Sequence, residues 1–148
     1  MNSVILAGTC IIKDQKVLIL KKAGGDQDGK WGPPAGHGND HESLLEIAQR
    51  ETKEETGLTV KITGLVQAAT FHHKEKDYLI ALYSAEVAEN QRITLQKAEV
   101  SNYVWAGLED IQNDTYPLRK DFLKEPLILS LTQEPLPING FKLLGKIE

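Results

Sequence analysis

The chain has a single cysteine, Cys10, so no internal disulfide can hold it together. The simplest reading is a small buried residue in a reducing, cytoplasmic setting. Long apolar runs are also missing. The N-terminal stretch 4–12 is too short to span a bilayer, and no positively charged segment precedes it. Residues 6–10, Leu-Ala-Gly-Thr-Cys, only superficially resemble a lipoprotein cleavage site, because Thr9 stands where a small residue should directly precede the cysteine. There is no long basic block either. With 17 basic against 21 acidic residues and a net charge of -4, neutralising the phosphates of duplex nucleic acid is not expected. An anionic substrate would need a bridging metal or local basic residues. Internal repeats and low-complexity linkers are absent, and 148 residues at 41% hydrophobic content suit one globular domain over 1–148 with a real core.

The local patterns outline the elements. Two β-rich runs, 3–13 and 16–22, flank Asp14-Gln15 and read as a hairpin. A glycine and aspartate loop, 23–30, follows. Within it Gly24, Gly29 and Lys30 match the start of the phosphate-loop pattern G-x-x-x-x-G-K-[ST]. Trp31 then stands where a hydroxyl is needed, and Gly32-Pro33-Pro34 stands where a helix must begin, so the match is a decoy. Residues 31–38 form a stiff, extended lead-in. A helix is expected over 40–56, with Asn39 as N-cap, Glu42 at N3 and Gly57 as the C′ residue. Strands are expected over 58–71 and 77–88, with residues 72–76 turning between them, and shorter ones over 91–95 and 101–106. A helical turn follows at 108–112. Residues 118–131 carry a helical pattern that Pro126 should kink or split, and the tail 132–148 reads as irregular before an apolar ending at Phe141, Leu143 and Leu144. That ending offers a surface for a homodimer.

The expected helix carries three carboxylates where packing would ordinarily want apolar residues. Taking Glu51 as reference on a helix of 3.6 residues per turn, Leu44 falls about 20° away, Ile47 about 40° and Ala48 about 60°. Glu51 thus lies in the buried stripe, with Glu55 about 40° to one side and Glu54 about 60° to the other. Glu42, Glu46, Gln49 and Lys53 lie on the opposite side and read as a solvated face. Three like charges on a buried face are costly unless they look into a cleft or hold a cation. Hard oxygen ligands of this kind suit magnesium or manganese. His37 and His41 have i, i+4 spacing but straddle the loop and the helix start, which argues against a zinc pair without further ligands. Trp31, Phe71 and Tyr78 are read as core before base-stacking, and Lys21, Lys22 and Lys30 as solvated before phosphate-binding.

Gly36, Glu42, Arg50, Glu51, Glu54, Glu55, Gly57 and Leu58 together resemble the signature G-x5-E-x7-R-E-U-x-E-E-x-G-U, with U apolar, of the MutT-like Nudix hydrolases. Seven fixed identities would coincide by chance roughly once in 10^8 windows at average residue frequencies. Beyond that box, Trp31 ahead of Pro34-Ala35-Gly36 and the segment 99–105 look similar to the family more loosely. Thr52 departs from an expected apolar position, Gly38-Asn39 from a common apolar-glutamate pair, and Ala35 from a common glycine. The resemblance implies an α+β fold, a mixed β-sheet sandwiched between helices. It also implies cleavage of a pyrophosphate bond in a nucleoside di- or triphosphate derivative, such as a nucleoside triphosphate, an oxidised nucleotide or ADP-ribose. By carry-over Glu51, Glu54 and Glu55 would bind Mg2+ or Mn2+, helped by the Ala35 carbonyl. Arg50 would hold the acids in place, and Gly36 and Glu42 would support them. The general base is left open between Glu51 and Glu99. A nucleotide-sensing module that binds without hydrolysis is the alternative, against which the intact acids argue. The expected partner is a small-molecule nucleotide, with neither nucleic acid nor membrane. Small size and the apparent lack of a large N-terminal addition tilt the substrate toward nucleotides.

Overall fold

The computed structural model describes residues 3–139. Strands β1 (Ser3–Lys13) and β2 (Lys16–Lys22) form the expected hairpin. Its two-residue turn takes left-handed backbone at both Asp14 (φ 51°) and Gln15 (φ 62°), the geometry that matches strand twist. Short strands β3 (Trp31–Gly32) and β4 (Ala35–His37) follow, then helix α1 (Leu44–Thr56). Strands β5 (Val60–His73) and β6 (Lys76–Val87) make a long hairpin, with β7 (Val100–Ala106) beyond. Helix α2 (Leu108–Gln112), a 3-10 turn (Asp121–Leu123) and helix α3 (Lys124–Thr132) complete the described elements.

The sheet runs β3-β2-β1-β6-β5, with β4 on β1 and β7 on β2. Strand β1 is parallel to β6 from Ser3↔Asp77 to Ile11↔Ala85, while the other pairings are antiparallel, so the sheet is mixed. On its other edge β1 changes neighbour. Leu6 to Gly8 pair with β4, whereas Ile12 and Lys13 pair with β2. Two strands that share one edge must diverge past the change, and a cleft opens where they part.

Both faces of the sheet are covered, as the near-continuous apolar runs of β1 and β2 require. Ala7, Ala81 and Tyr83 pack with Ile47 and Ala48 of α1. Their neighbours Cys10, Val17, Ile19, Ile80 and Leu82 point the other way, toward Ile111, Leu123 and Leu127. The α+β sandwich expected from the sequence is therefore observed. No helix among the described residues is long and apolar enough to cross a membrane.

Several expectations need correction. Helix α1 begins at Leu44, not near Asp40. Ser43 is its N-cap, accepting from the Glu46 amide at 3.1 Å, while the Glu46 carboxylate accepts from the Ser43 amide at 3.3 Å. Two capping boxes compete in this sequence: Glu42 still accepts from the Asn39 amide at 2.6 Å, but His41 takes a left-handed φ of 68° that keeps the helix from starting there, and Ser43 becomes the cap. Residues 91–95 form no strand. Their segment instead serves the carbonyls at the end of α1: the Thr94 amide donates to Thr56 O (2.8 Å) and the Gln96 amide to Glu55 O (3.2 Å). Ile93 and Leu95 still pack against the core around Leu18 and Val60. His72 and His73 belong to β5, and the turn is Lys74-Glu75. Leu118 is not helical but bridges to Trp31, and Pro126 sits in the first turn of α3, where its missing amide costs nothing. The tail is anchored at Leu136, which exchanges two 2.8 Å hydrogen bonds with Leu65. Phe141, Leu143 and Leu144 lie outside the described residues.

The cap assignment is directly testable. Ser43→Ala should lower the unfolding free energy by about 1 kcal/mol in urea titrations, whereas Asn39→Ala, whose side chain is exposed, should change it much less.

Candidate active site

Helix α1 lies across the start of β4, and this crossing brings Arg50, Glu51 and Glu55 to the cleft beside Ala35 and Gly36. Gly36 is required there for space. A Cβ on it would stand 2.2 Å from the Glu51 carboxyl carbon, so any side chain would push that carboxylate aside. Thr52, one residue on, is fully buried and donates to Ala48 O at 2.7 Å. Its hydroxyl also meets that of Thr9 at 2.7 Å. The departure from an apolar residue at this position is thus satisfied by hydrogen bonds that tie α1 to β1.

Arg50 gathers the acids. Its Nε and Nη2 donate to the two Glu42 oxygens at 2.7 and 2.9 Å, a bidentate pair. Nη1 donates to Glu51 at 2.9 Å and to Glu54 at 3.3 Å, and Nη2 also reaches the His37 carbonyl at 2.8 Å. These hydrogen bonds hold the Glu42 carboxyl below the usual carboxylate range. The guanidinium is correspondingly harder to deprotonate than usual, Glu42 being the main cause.

The two inward acids behave differently. Burial pushes the Glu51 carboxyl up, with Arg50 opposing and Glu54 and Glu99 adding to the rise. Glu55 is only 8% exposed, and burial pushes its carboxyl up to about 8. Arg119 opposes that shift and Glu51 reinforces it. Among the described residues the Glu55 Oε2 atom has no hydrogen-bond partner. Such a group costs free energy until something cationic or a donor reaches it.

The cleft is a cavity of about 750 Å3. Glu99, exposed in the turn before β7, lines it together with Glu51, so both residues weighed as the base share one space. Glu54 is exposed and stands outside the lining, touching the site through Arg50. His37 lines the cavity and His41 does not. Lys22 reaches it; Lys21 instead sits over the Trp31 ring at 6.0 Å. Trp31 is core, packed edge-on to Tyr116 at 5.1 Å. Phe71 and Tyr78 stack face to face, with centroids 4.6 Å apart, and both line the cavity. Phe122, 39% exposed, joins them at 4.8 Å from Phe71.

Sequence reasoning missed Arg119, Lys120 and Phe122, which all line the cavity. They come from the stretch around the 3-10 turn that a helical period had absorbed. The one available signal was the arginine-lysine pair Arg119-Lys120, two residues after Pro117.

A model of the NUDIX domain family matches residues 5–125. The chain belongs to this family, in agreement with the MutT-like resemblance. It is 36% identical over 85 residues to the asymmetrical bis(5'-nucleosyl)-tetraphosphatase of Mus musculus, a match covering 54% of this chain and 57% of that protein. The chain thus spans little more than half the length of that curated relative. Its fold is similar to a NUDIX hydrolase from Nitrosomonas europaea, with a TM-score of 0.81, 18% identity and coverage of 96% and 97% of the two chains. It is also similar to a MutT protein from Methanosarcina mazei, with a TM-score of 0.72, 25% identity and coverage of 85% and 91%.

The raised Glu55 carboxyl has a consequence for stability. Between its ordinary value of 4.5 and about 8, the folded protein holds a proton that the unfolded chain has released, so this residue makes stability fall as pH rises through that window. In a chelating buffer, Glu55→Gln should remove that slope, and its urea midpoint should gain on the wild type from pH 5 to pH 8. Parallel pH profiles for the two proteins would show Glu55 ionised throughout.

Proposed function

We propose that this chain is a divalent-metal-dependent hydrolase that cleaves a pyrophosphate bond in a nucleoside di- or triphosphate derivative. The observation that carries the reading is the buried Glu55 carboxylate, unpartnered at Oε2 beside Glu51, in the cleft of a NUDIX-family chain. Members of this family generally use divalent cations.

The donor set fits such a cation. Glu51, Glu54, Glu55 and the Ala35 carbonyl are hard oxygen ligands of the kind magnesium and manganese prefer. Among the described residues no three acids or imidazoles already converge on a common point, because Arg50 engages Glu51 and Glu54. Binding therefore asks these two carboxylates to turn from the guanidinium, while the Glu42 pair keeps Arg50 in position. When bound, the cation supplies neutralisation of the pyrophosphate oxygens and activation of a water. The chain supplies the proton acceptor, Glu51 or Glu99, both facing the cavity. Glu99→Gln separates the two, since Glu51 also stands in the cation's ligand set: replacing Glu99 should flatten the acidic limb of the rate profile if Glu99 is the base and leave that limb in place if Glu51 is.

A nucleoside moiety is supported by the Phe71–Tyr78 stack and Phe122, which give the cavity an aromatic side apart from the acids. The mouse relative brings dinucleoside polyphosphates into the range of substrates, beside nucleoside triphosphates, oxidised nucleotides and ADP-ribose. The competing reading is a nucleotide-sensing domain that binds without cleavage, which draws on the acids being engaged by Arg50.

A panel of these nucleotides with magnesium or manganese decides between them. At least one member should be hydrolysed, and Glu54→Gln should remove most of that activity while the protein stays folded. Binding without turnover across the panel would establish the sensor. Manganese at a hundred times its Kd should stabilise the wild type by about 2.7 kcal/mol, and Glu51→Gln by much less. Gly36→Ala should act locally, because a Cβ there meets the end of a flexible side chain: activity should drop steeply with little change in melting temperature.

A further inference from the structure

Arg119 lies outside the acid helix and outside the family signature, yet it is a cation built into the cavity. Its backbone is fixed by a 2.8 Å hydrogen bond from its amide to Trp31 O. Its guanidinium Nη2 donates to Pro33 O at 2.8 Å, the one side-chain hydrogen bond that it makes among the described residues, out of five N–H groups. Gly32 makes room for it, since a Cβ there would stand 2.7 Å from the guanidinium carbon. Among the described residues no carboxylate lies within 4.0 Å of it.

Two groups in this cavity are therefore left with unmet demands. Glu55 Oε2 lacks a donor or cation, and Arg119 lacks an anion. They attract each other without forming a pair. A bare metal ion would satisfy Glu55 alone and be repelled by Arg119; a bare phosphate would do the reverse. A metal-bound phosphate satisfies both. We propose that Arg119 is a phosphate-binding residue of the substrate site, its guanidinium taking oxygens of the pyrophosphate group on the side away from the acids. The inference rests on the pyrophosphohydrolase reading for the identity of that group. An arginine fits the task better than a lysine, because its planar fork matches two phosphate oxygens while remaining held at Pro33. Lys22 and Lys120 line the same cavity and add positive potential around it.

The test compares wild type, Arg119→Lys and Arg119→Ala on whichever nucleotide the wild type hydrolyses best, and by calorimetric binding of inorganic pyrophosphate in magnesium. Arg119→Ala should lose about 100- to 1000-fold in kcat/KM, the usual cost of removing a donor to transition-state charge. Arg119→Lys should recover only a small part, and millimolar guanidinium should raise the activity of Arg119→Ala at least several-fold while leaving the wild type unchanged. A role confined to bracing Pro33 would not give that rescue. Pyrophosphate affinity should fall in both variants while the melting temperature of Arg119→Lys stays near the wild type. Unchanged pyrophosphate affinity in folded Arg119→Lys, or Arg119→Ala within a few-fold of wild type in kcat/KM, overturns the proposal. If the wild type hydrolyses nothing, the hydrolase reading falls, while pyrophosphate binding still decides the role of Arg119.

Discussion

Everything in this site turns on Arg50. One guanidinium holds Glu42 by two hydrogen bonds, Glu51 and Glu54 by others, and the carbonyl of His37 at the end of β4. Without it, Glu51 and Glu54 of α1 and Glu42 just ahead of it would repel one another, and α1 would lose its hydrogen bond to the end of β4. With it, the acids are kept close at a modest net cost, because each charge is met by a charge-assisted hydrogen bond. The arrangement is also exchangeable. Glu51 and Glu54 share the Nη1 atom, whereas Glu42 holds Nε and Nη2. A cation can therefore compete for the first two without dislodging the third, which explains why Glu42 reads better as an anchor than as a ligand.

The cavity itself follows from the sheet. Because β1 passes from β4 to β2 along one edge, the two halves of the sheet part over the strand's middle. The parting leaves Glu51 and Glu55 of α1 on one side, beside Ala35 and Gly36 of β4. On the other side stand groups from β2, the turn before β7 and the stretch at 119–122. Cations from this second side oppose the charge of the first. Lys22 and Arg119 both temper the rise in the Glu55 carboxyl, yet burial still dominates there. The site is thus balanced between anionic and cationic walls, a suitable environment for an ion and its anionic partner taken together.

Much of this was legible in the sequence, for identifiable reasons. The strands declared themselves by apolar runs broken at Asp14-Gln15, and α1 by its periodicity and by Gly57, which takes the left-handed φ of 75° that ends the helix. The acid face emerged from 3.6-residue geometry alone. What failed were features decided by distant partners. The start of α1 depended on whether Glu42 would bond to Asn39 or to Arg50, and it does both, leaving Ser43 as the cap. Residues 91–95 have strand-like composition, but the amide of Thr94, and that of Gln96 just beyond, are claimed by the carbonyls at the end of α1. Beyond the basic pair it makes with Lys120, Arg119 carries little local signal, because its importance comes from Gly32 and Pro33, some 86 residues earlier in the chain.

The central claim is that this cleft directs water to a phosphorus atom of a pyrophosphate. Running the reaction in 18O-labelled water with magnesium, and following the phosphorus products by 31P NMR and mass spectrometry, tests it most directly. The account predicts one 18O atom in one phosphoryl product of each cleavage, and none in Glu55→Gln over the same time. An unchanged nucleotide spectrum, or label entering a carbon centre instead of phosphorus, would contradict it.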